Sequence, residues 1–152
     1  MTFDADSFLQ SSITEANDTK IIPCPVGEFA AIIDKITPKQ VQFNGGTETR
    51  IVLDVQWLIE DAGAKAATGR DVVTVKQAIF LDTTPTGGLD MGQGKNVALG
   101  RLREAVGKNS PGEPFSFAML PGLMAKVSVS HRPDKNDPSI SYAEVKMATK
   151  LG

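Results

Sequence analysis

The sequence predicts a mainly β fold: five strands, one α-helix between the third and the fourth, and an extended arm before the first. Three observations carry this. Five segments alternate apolar and polar residues at the period of two that a half-buried strand requires. One segment, from Gly94 to Gly107, drops that rhythm for a helical one. The first 25 residues show neither.

The arm comes first. "MTFDADSFLQSSITEANDTK" is polar, with isolated Phe3, Phe8 and Leu9 and no sustained period, so residues 1–25 read as an acidic, extended N-terminal arm and 26–152 as the folded domain. Pro23, Pro25 and Gly27 punctuate the start of the first strand. In "EFAAIIDKI", Phe29, Ala31 and Ile33 share a face, and Ile36 rejoins them only through a bulge or bend. "TPKQVQFNGGTET" follows as a flexible, glycine-bearing connection. "RIVLDVQWLIE" is the cleanest strand. Ile51, Leu53, Val55, Trp57 and Ile59 oppose Arg50, Val52, Asp54, Gln56, Leu58 and Glu60. In "VVTVKQAIFLD", Val73, Val75, Gln77, Ile79 and Leu81 oppose Thr74, Lys76, Ala78, Phe80 and Asp82.

"GKNVALGRLREAVG" places Leu99, Leu102 and Val106 at i, i+3 and i+7 with Ala98 and Ala105 beside them, one apolar helical face. Gly107 is its stop signal. Two strands close the chain. "AKVSVSHR" sets Val127, Val129 and His131 against Lys126, Ser128, Ser130 and Arg132. "YAEVKMATK" sets Ala143, Val145 and Met147 against Tyr142, Glu144, Lys146 and Lys150. Three strands, a helix, then two strands is the plan of the OB-fold, a small five-stranded barrel with the helix plugging one end. A five-stranded open α+β sheet with one covering helix fits the same order.

Composition removes several function classes. The 152 residues suit one domain, and 41% hydrophobic with 22% charged residues is ordinary for a soluble globular chain. No apolar run approaches the roughly 20 residues that span a bilayer, and the start lacks a signal-peptide pattern, so no membrane partner is expected. The lone Cys24 has no intrachain disulfide partner, which points to a reducing cytoplasm. With one histidine and one cysteine, the usual zinc ligand sets cannot be assembled, and no metal or cofactor is expected. Net charge is −2, unevenly spread. Residues 1–34 hold Asp4, Asp6, Glu15, Asp18, Glu28 and Asp34 against Lys20, while the remaining 15 bases outnumber 12 acids. A mildly basic body behind an acidic leader suits an anionic ligand, with the leader competing for the same surface. A solvated tail on a near-neutral domain accounts for the same numbers.

"LDTTPTGGLDMGQGKNVALG" looks at first like a phosphate loop, whose glycines turn backbone N–H groups towards phosphates. The spacing fails. Gly94-Lys95 requires glycine at position 89, where Leu89 stands, and Asn96 stands where Ser or Thr would hold magnesium. The stretch is a strand-to-helix connection, with Lys95, Arg101 and Arg103 kept as candidate contacts to a nucleic-acid backbone. No catalytic residue is expected either. His131 beside Arg132 and Asp134 lacks a nucleophile, Cys24 between two prolines lacks a neighbouring base or cation, and no acid pair is spaced for general acid–base work.

Nucleic-acid binding fits better, since sequence-tolerant capture of single strands needs cations for phosphates and aromatic faces for bases. The outward side of the third strand carries Lys76 and Phe80, the second strand adds Arg50 and Gln56, and the first connection adds Lys39 and Phe43. The last two strands add Lys126, Arg132, Tyr142 and Lys146, with Lys150 just beyond. Trp57, on a face otherwise made of Ile, Leu and Val, belongs to the core.

With these residues in view, the progression "GEFAAIIDKI", "RIVLDVQWLIED", "GRDVVTVKQAIFLD", "LGRLREAVG", "LPGLMAKVSVSHR" and "YAEVKMATK" resembles bacteriophage single-stranded-DNA-binding proteins of the OB-fold type, a family long catalogued only as a domain of unknown function. The shared pattern covers residues 26 to 150. A Gly-x-aromatic opens the first strand, a glycine-led third strand feeds a helix ending in Ala-x-Gly, a Leu-x-Gly-type turn precedes Val-x-Val, and a Tyr-x-Glu-Val strand closes the domain. The resemblance implies a non-enzymatic protein that coats single-stranded DNA in the host cytoplasm. It would serve phage replication or recombination beside the proteins of those processes and is compatible with a homo-oligomer. The chain departs from that pattern by carrying its acidic segment first and a basic "VKMATKLG" last, so recruitment through an acidic C-terminal tail is not expected. The rival expectation is a structural phage virion component, a small β-rich capsid or tail protein that docks through its N-terminal arm.

Overall fold

The computed structural model describes residues 2–46 and 48–152, and five strands in it close into a ring. In chain order the elements are α1 (Ala5–Gln10), β1 (Gly27–Phe43), β2 (Glu48–Ile59), α2 (Ala62–Thr68), β3 (Thr74–Leu81), α3 (Val97–Ala105), β4 (Met124–Pro133) and β5 (Ser141–Thr149). The strands follow one another as β1, β2, β3, β5, β4, and β4 returns to β1 through the antiparallel register Gly27↔Val129 to Ile32↔Met124. All neighbours are antiparallel except β3 and β5, which run parallel and meet at the single pair Lys76↔Glu144. The fold is mainly β, with α3 between the third and fourth strands as expected.

Period-two alternation becomes burial. Along β3, every second residue from Val75 to Leu81 is buried and those between are exposed. Leu53, Val55, Trp57 and Ile59 line the inside of β2 beside Ile33 and Ile79. Trp57 is fully buried, and its indole N–H donates to the Gln77 side-chain oxygen at 3.0 Å. That bond explains a glutamine on the inner face of β3, because a buried amide and a buried indole satisfy each other. The bend required by Ile36 is a bulge between Ile33 and Lys35, with Asp34 as the extra residue.

α3 buries Leu99, Leu102 and Ala105 against β5 and β3. It ends at Gly107, whose φ of 76° suits a residue without Cβ, with the Lys108 N–H on the Arg103 carbonyl and the Gly107 N–H on Glu104.

Three features differ from the expectation. β1 runs on through Thr37–Phe43, so Lys39 and Phe43 lie in a strand and not in a flexible loop. Seven register pairs with β2, from Thr37↔Asp54 to Phe43↔Glu48, hold it there. Pro38 is tolerated because β1 has left β4 after Ile32 and keeps β2 as its one partner. The arm is not wholly extended, since α1 forms behind Asp4, which caps the N–H groups of Asp6 and Ser7. A further short helix, α2, is capped by Asp61 and stopped by Gly69 at φ 70°.

Candidate nucleic-acid interface

The outward side of β1, β2 and β3 is built in rows fixed by register. Lys39, Val52 and Phe80 form one row, Thr37, Asp54 and Ala78 the next, and Lys35, Gln56 and Lys76 the one after. Arg50 sits across from Val41, one step beyond the first row. Val52 is only 3% exposed although it points outward, because the row mates Lys39 and Phe80 flank it. Phe80 is 43% exposed. Its ring lies 5.8 Å from that of Phe43 at a tilt of 52°, and the Arg50 guanidinium stands 5.7 Å from its centre. Two aromatic faces and a cation therefore share one patch, the chemistry that stacking and phosphate contact need.

The glycine-rich connection supports this patch from behind. Asn96 adopts a left-handed conformation at φ 53° and is buried. Its amide oxygen accepts the Asp82 N–H at 2.8 Å, and its amide nitrogen donates to the Asp82 and Asp90 carbonyls, both at 2.9 Å. Its own backbone N–H donates to one Asp82 carboxylate oxygen at 3.0 Å, while the other accepts from Arg50 at 3.1 Å. The Asn96 N–H first, then Lys95 and Arg50, hold the Asp82 carboxyl below the usual carboxylate range. The adjoining cleft of about 340 Å³ is lined by Arg50 and Lys95 but also by Glu48, Asp82 and Asp90. Three carboxylates against two cations make a poor phosphate seat, which agrees with the failed loop spacing.

A second aromatic–cation pair stands by the β4–β5 connection. Tyr142 is 44% exposed, and the Arg132 guanidinium lies 5.6 Å from its ring centre. The Tyr142 hydroxyl donates to Asp134 at 2.7 Å, and Asp134 also accepts the N–H groups of Asn136 and Asp137. The hydrogen bond to the carboxylate raises the phenol above its ordinary 10. Tyr142 and Thr74 line the same cleft, six residues along β3 from Phe80, or about 20 Å at strand rise. The two pairs are thus separate stations on the ring.

The structure divides the residues singled out in the sequence. Arg50, Phe43, Phe80, Lys39, Gln56 and Lys76 come together on β1–β3, and Arg132 with Tyr142 stands beyond them. Some of these are already engaged: Lys39 pairs with Asp54 at 2.7 Å, Gln56 donates to Asp34 at 2.9 Å, and Arg132 meets Glu144 at 3.3 Å. Lys126 and Lys146 lie near the far ends of β4 and β5, in a cleft with Glu28, which Lys126 approaches to 3.1 Å. Arg103 is spent on structure, stacked 4.3 Å from the Phe115 ring and bonded to the Lys108 carbonyl. Nothing in the sequence pointed to Asp82 and Asn96, whose partners lie 14 and 32 residues apart.

The remaining candidates show no reactive arrangement. His131 is exposed, with Nε2 2.6 Å from the Cys24 carbonyl, where it ties the arm to β4. Arg70 does approach the Cys24 thiol, a cation invisible in the sequence, but burial outweighs it and pushes the thiol up. Among the described residues there is no cluster of three or more His, Cys, Asp or Glu placed to hold a metal, and no helix is long and apolar enough to cross a membrane. No protein-family model matches the chain, and no curated protein matches it significantly in sequence.

Proposed function

We propose that the protein is a non-enzymatic, sequence-tolerant single-stranded-DNA-binding protein on the OB-fold plan, serving phage replication or recombination. The observation that carries this is the Phe43–Phe80–Arg50 patch on the outward face of β1, β2 and β3. The strand order β1-β2-β3-β5-β4, with α3 between β3 and β4, supports the fold, and in that fold this face and the β4–β5 connection receive oligonucleotides. Arg132 and Tyr142 flank that connection. Phe43, Phe80 and Tyr142 stack on bases, which is tolerant of sequence because every base has a π-face. Lys39, Arg50, Lys76 and Arg132 neutralise phosphates.

Titration of labelled single- and double-stranded oligonucleotides over a series of salt concentrations tests the proposal. Single strands bind more tightly, and four phosphate contacts give log K against log salt a slope of about −3. No binding at low salt, or equal affinity for duplex, refutes it. The exposed Phe3, Phe8 and Leu9 favour the second reading, a virion component docking through its arm. That reading predicts no salt-dependent affinity for oligonucleotides.

A further inference from the structure

A furrow on the outside of β5 has no part in the interface above. Arg101, Glu104 and Ala105 of α3 form one wall with Met147, Ala148, Thr149 and Lys150, around a cleft of about 260 Å³. Glu28, Lys126, Val127 and Ser128 form the other with Lys146, Met147 and Thr149, around about 360 Å³. Met147 and Thr149 belong to both clefts, so the two join across β5. The floor is apolar at Met147, which is 46% exposed, and the rim carries Arg101, Lys126, Lys146 and Lys150 against Glu28 and Glu104. Among the described residues, Arg101, Lys146 and Lys150 make no ion pair.

The arm has the complementary chemistry. Its first ten residues hold Asp4 and Asp6 and no base. Phe3, Phe8 and Leu9 are 74%, 66% and 76% exposed, and the two phenylalanine rings pair at 5.7 Å. The Asp4 cap starts the helix that carries Phe8 and Leu9, and Phe3, just before the cap, packs on Phe8, so the apolar plug exists before it meets a partner. Exposed apolar side chains in a cluster mark a contact surface.

We infer that α1 of one copy docks in the β5 furrow of a second copy, Phe3 and Phe8 against Met147 and the aspartates against Lys146, Lys150 and Arg101. Opposite charge and an apolar centre meet on both sides. The observed arm favours a second copy over the chain's own furrow, since Phe3 and Phe8 stand exposed and are not seated there. The arm is fastened by Lys20 to Ser139 at 2.6 Å and by Arg70 to the Ile22 carbonyl at 2.9 Å, beside the starts of β5 and β3. The furrow lies at the end of β5, about 20 Å along the strand. An arm leaving one end and a furrow at the other join copies head to tail, a heterologous contact that extends into chains.

Sedimentation velocity without nucleic acid tests this independently of the oligonucleotide titration. The full chain forms larger species as its concentration rises, and added salt weakens them. Phe3→Ala with Phe8→Ala leaves a monomer, and so does Met147→Glu or the double reversal Lys146→Glu with Lys150→Glu. All five positions are exposed, and the buried Trp57 reports in each variant that the fold is kept. An equimolar mixture of an arm variant and a furrow variant forms dimers, since one intact arm then meets one intact furrow. A monomeric full chain, association that survives loss of the phenylalanines, or a mixture that stays monomeric overturns the inference.

Discussion

Phe80 keeps 43% of its surface in solvent while its strand neighbours Ile79 and Leu81 are buried. A large apolar ring is left there at a cost, since covering it would remove apolar area from water. On the proposed function, stacking on a base beside Phe43 and Arg50 would return what the ring forgoes in the core. Phe80→Ala should therefore weaken single-strand affinity by about 1–3 kcal/mol and leave the denaturation midpoint nearly unchanged. An equal affinity removes Phe80 from the interface. Trp57 behaves in the opposite way, because it is buried and bonded to Gln77. Being the single tryptophan, it should emit as a buried indole and stay unaltered when oligonucleotide is added. Tyr142 is likewise the single tyrosine, so its absorbance reports one ionisation. Its phenol is raised above 10 chiefly by the bond to Asp134. The neutral hydroxyl is the form that donates, so the stabilisation from this bond is present below 10 and is lost as pH rises through the folded-state value. Spectrophotometric titration should find a midpoint above 10, and Asp134→Asn should move it back down.

At the scale of elements, Asn96 decides how the connection between β3 and α3 is held. It reaches Asp82 and Asp90 together, and through the Asp82 carboxylate it sets where Arg50 stands over Phe80. Asn96→Ala strands the Asp82 N–H and two carbonyls and keeps a Cβ in the left-handed region. Stability should fall by about 1–3 kcal/mol from the lost bonds, with backbone strain added. Asn96→Gly should recover the strain, about 1 kcal/mol, but not the bonds. Chemical denaturation of both variants separates the two causes, and equal losses would show that strain plays no part. Affinity for single strands should drop in both, since Arg50 loses its brace. This network explains which parts of the molecule were legible in sequence. Leu53, Trp57 and Ile79 announced their faces because burial alternates along a strand, and even the bulge at Asp34 followed from the displaced Ile36. The second half of β1 was illegible because its polar residues and Pro38 lie on a single-partner edge, where pairing with β2 outweighs propensity. α2 carried an Asp start and a Gly stop but no apolar period, with only Ala64 and Thr68 buried. Phe80 and Arg50 could be read as outward residues. That Asp82 and Asn96 hold them could not, because contacts 14 and 32 residues apart leave no local pattern.

The whole molecule sets the spacing between its two aromatic–cation stations. Closing the ring through the parallel seam of β3 and β5 brings Tyr142 and Arg132 onto the same outer surface as Phe80 and Arg50, about 20 Å away along β3. A strand of nucleic acid that touches one station has to cross Lys76, which makes no ion pair among the described residues, to reach the other. Affinity should then depend on oligonucleotide length in two stages. Short oligomers fill one station, and affinity climbs steeply once the strand spans both, at several nucleotides, within the roughly 4–16 that one OB domain covers. Substitution exposes the same geometry. With an oligomer that spans the ring, Phe80→Ala and Tyr142→Ala should each weaken binding, and their effects should add because the sites are further apart than coupling distances of about 10 Å. With the shortest oligomers that bind, either substitution alone should cost less, since the strand moves to the station left intact. If both substitutions cost the same at every length, the strand does not run from Phe80 to Tyr142, and the path over Lys76 is wrong.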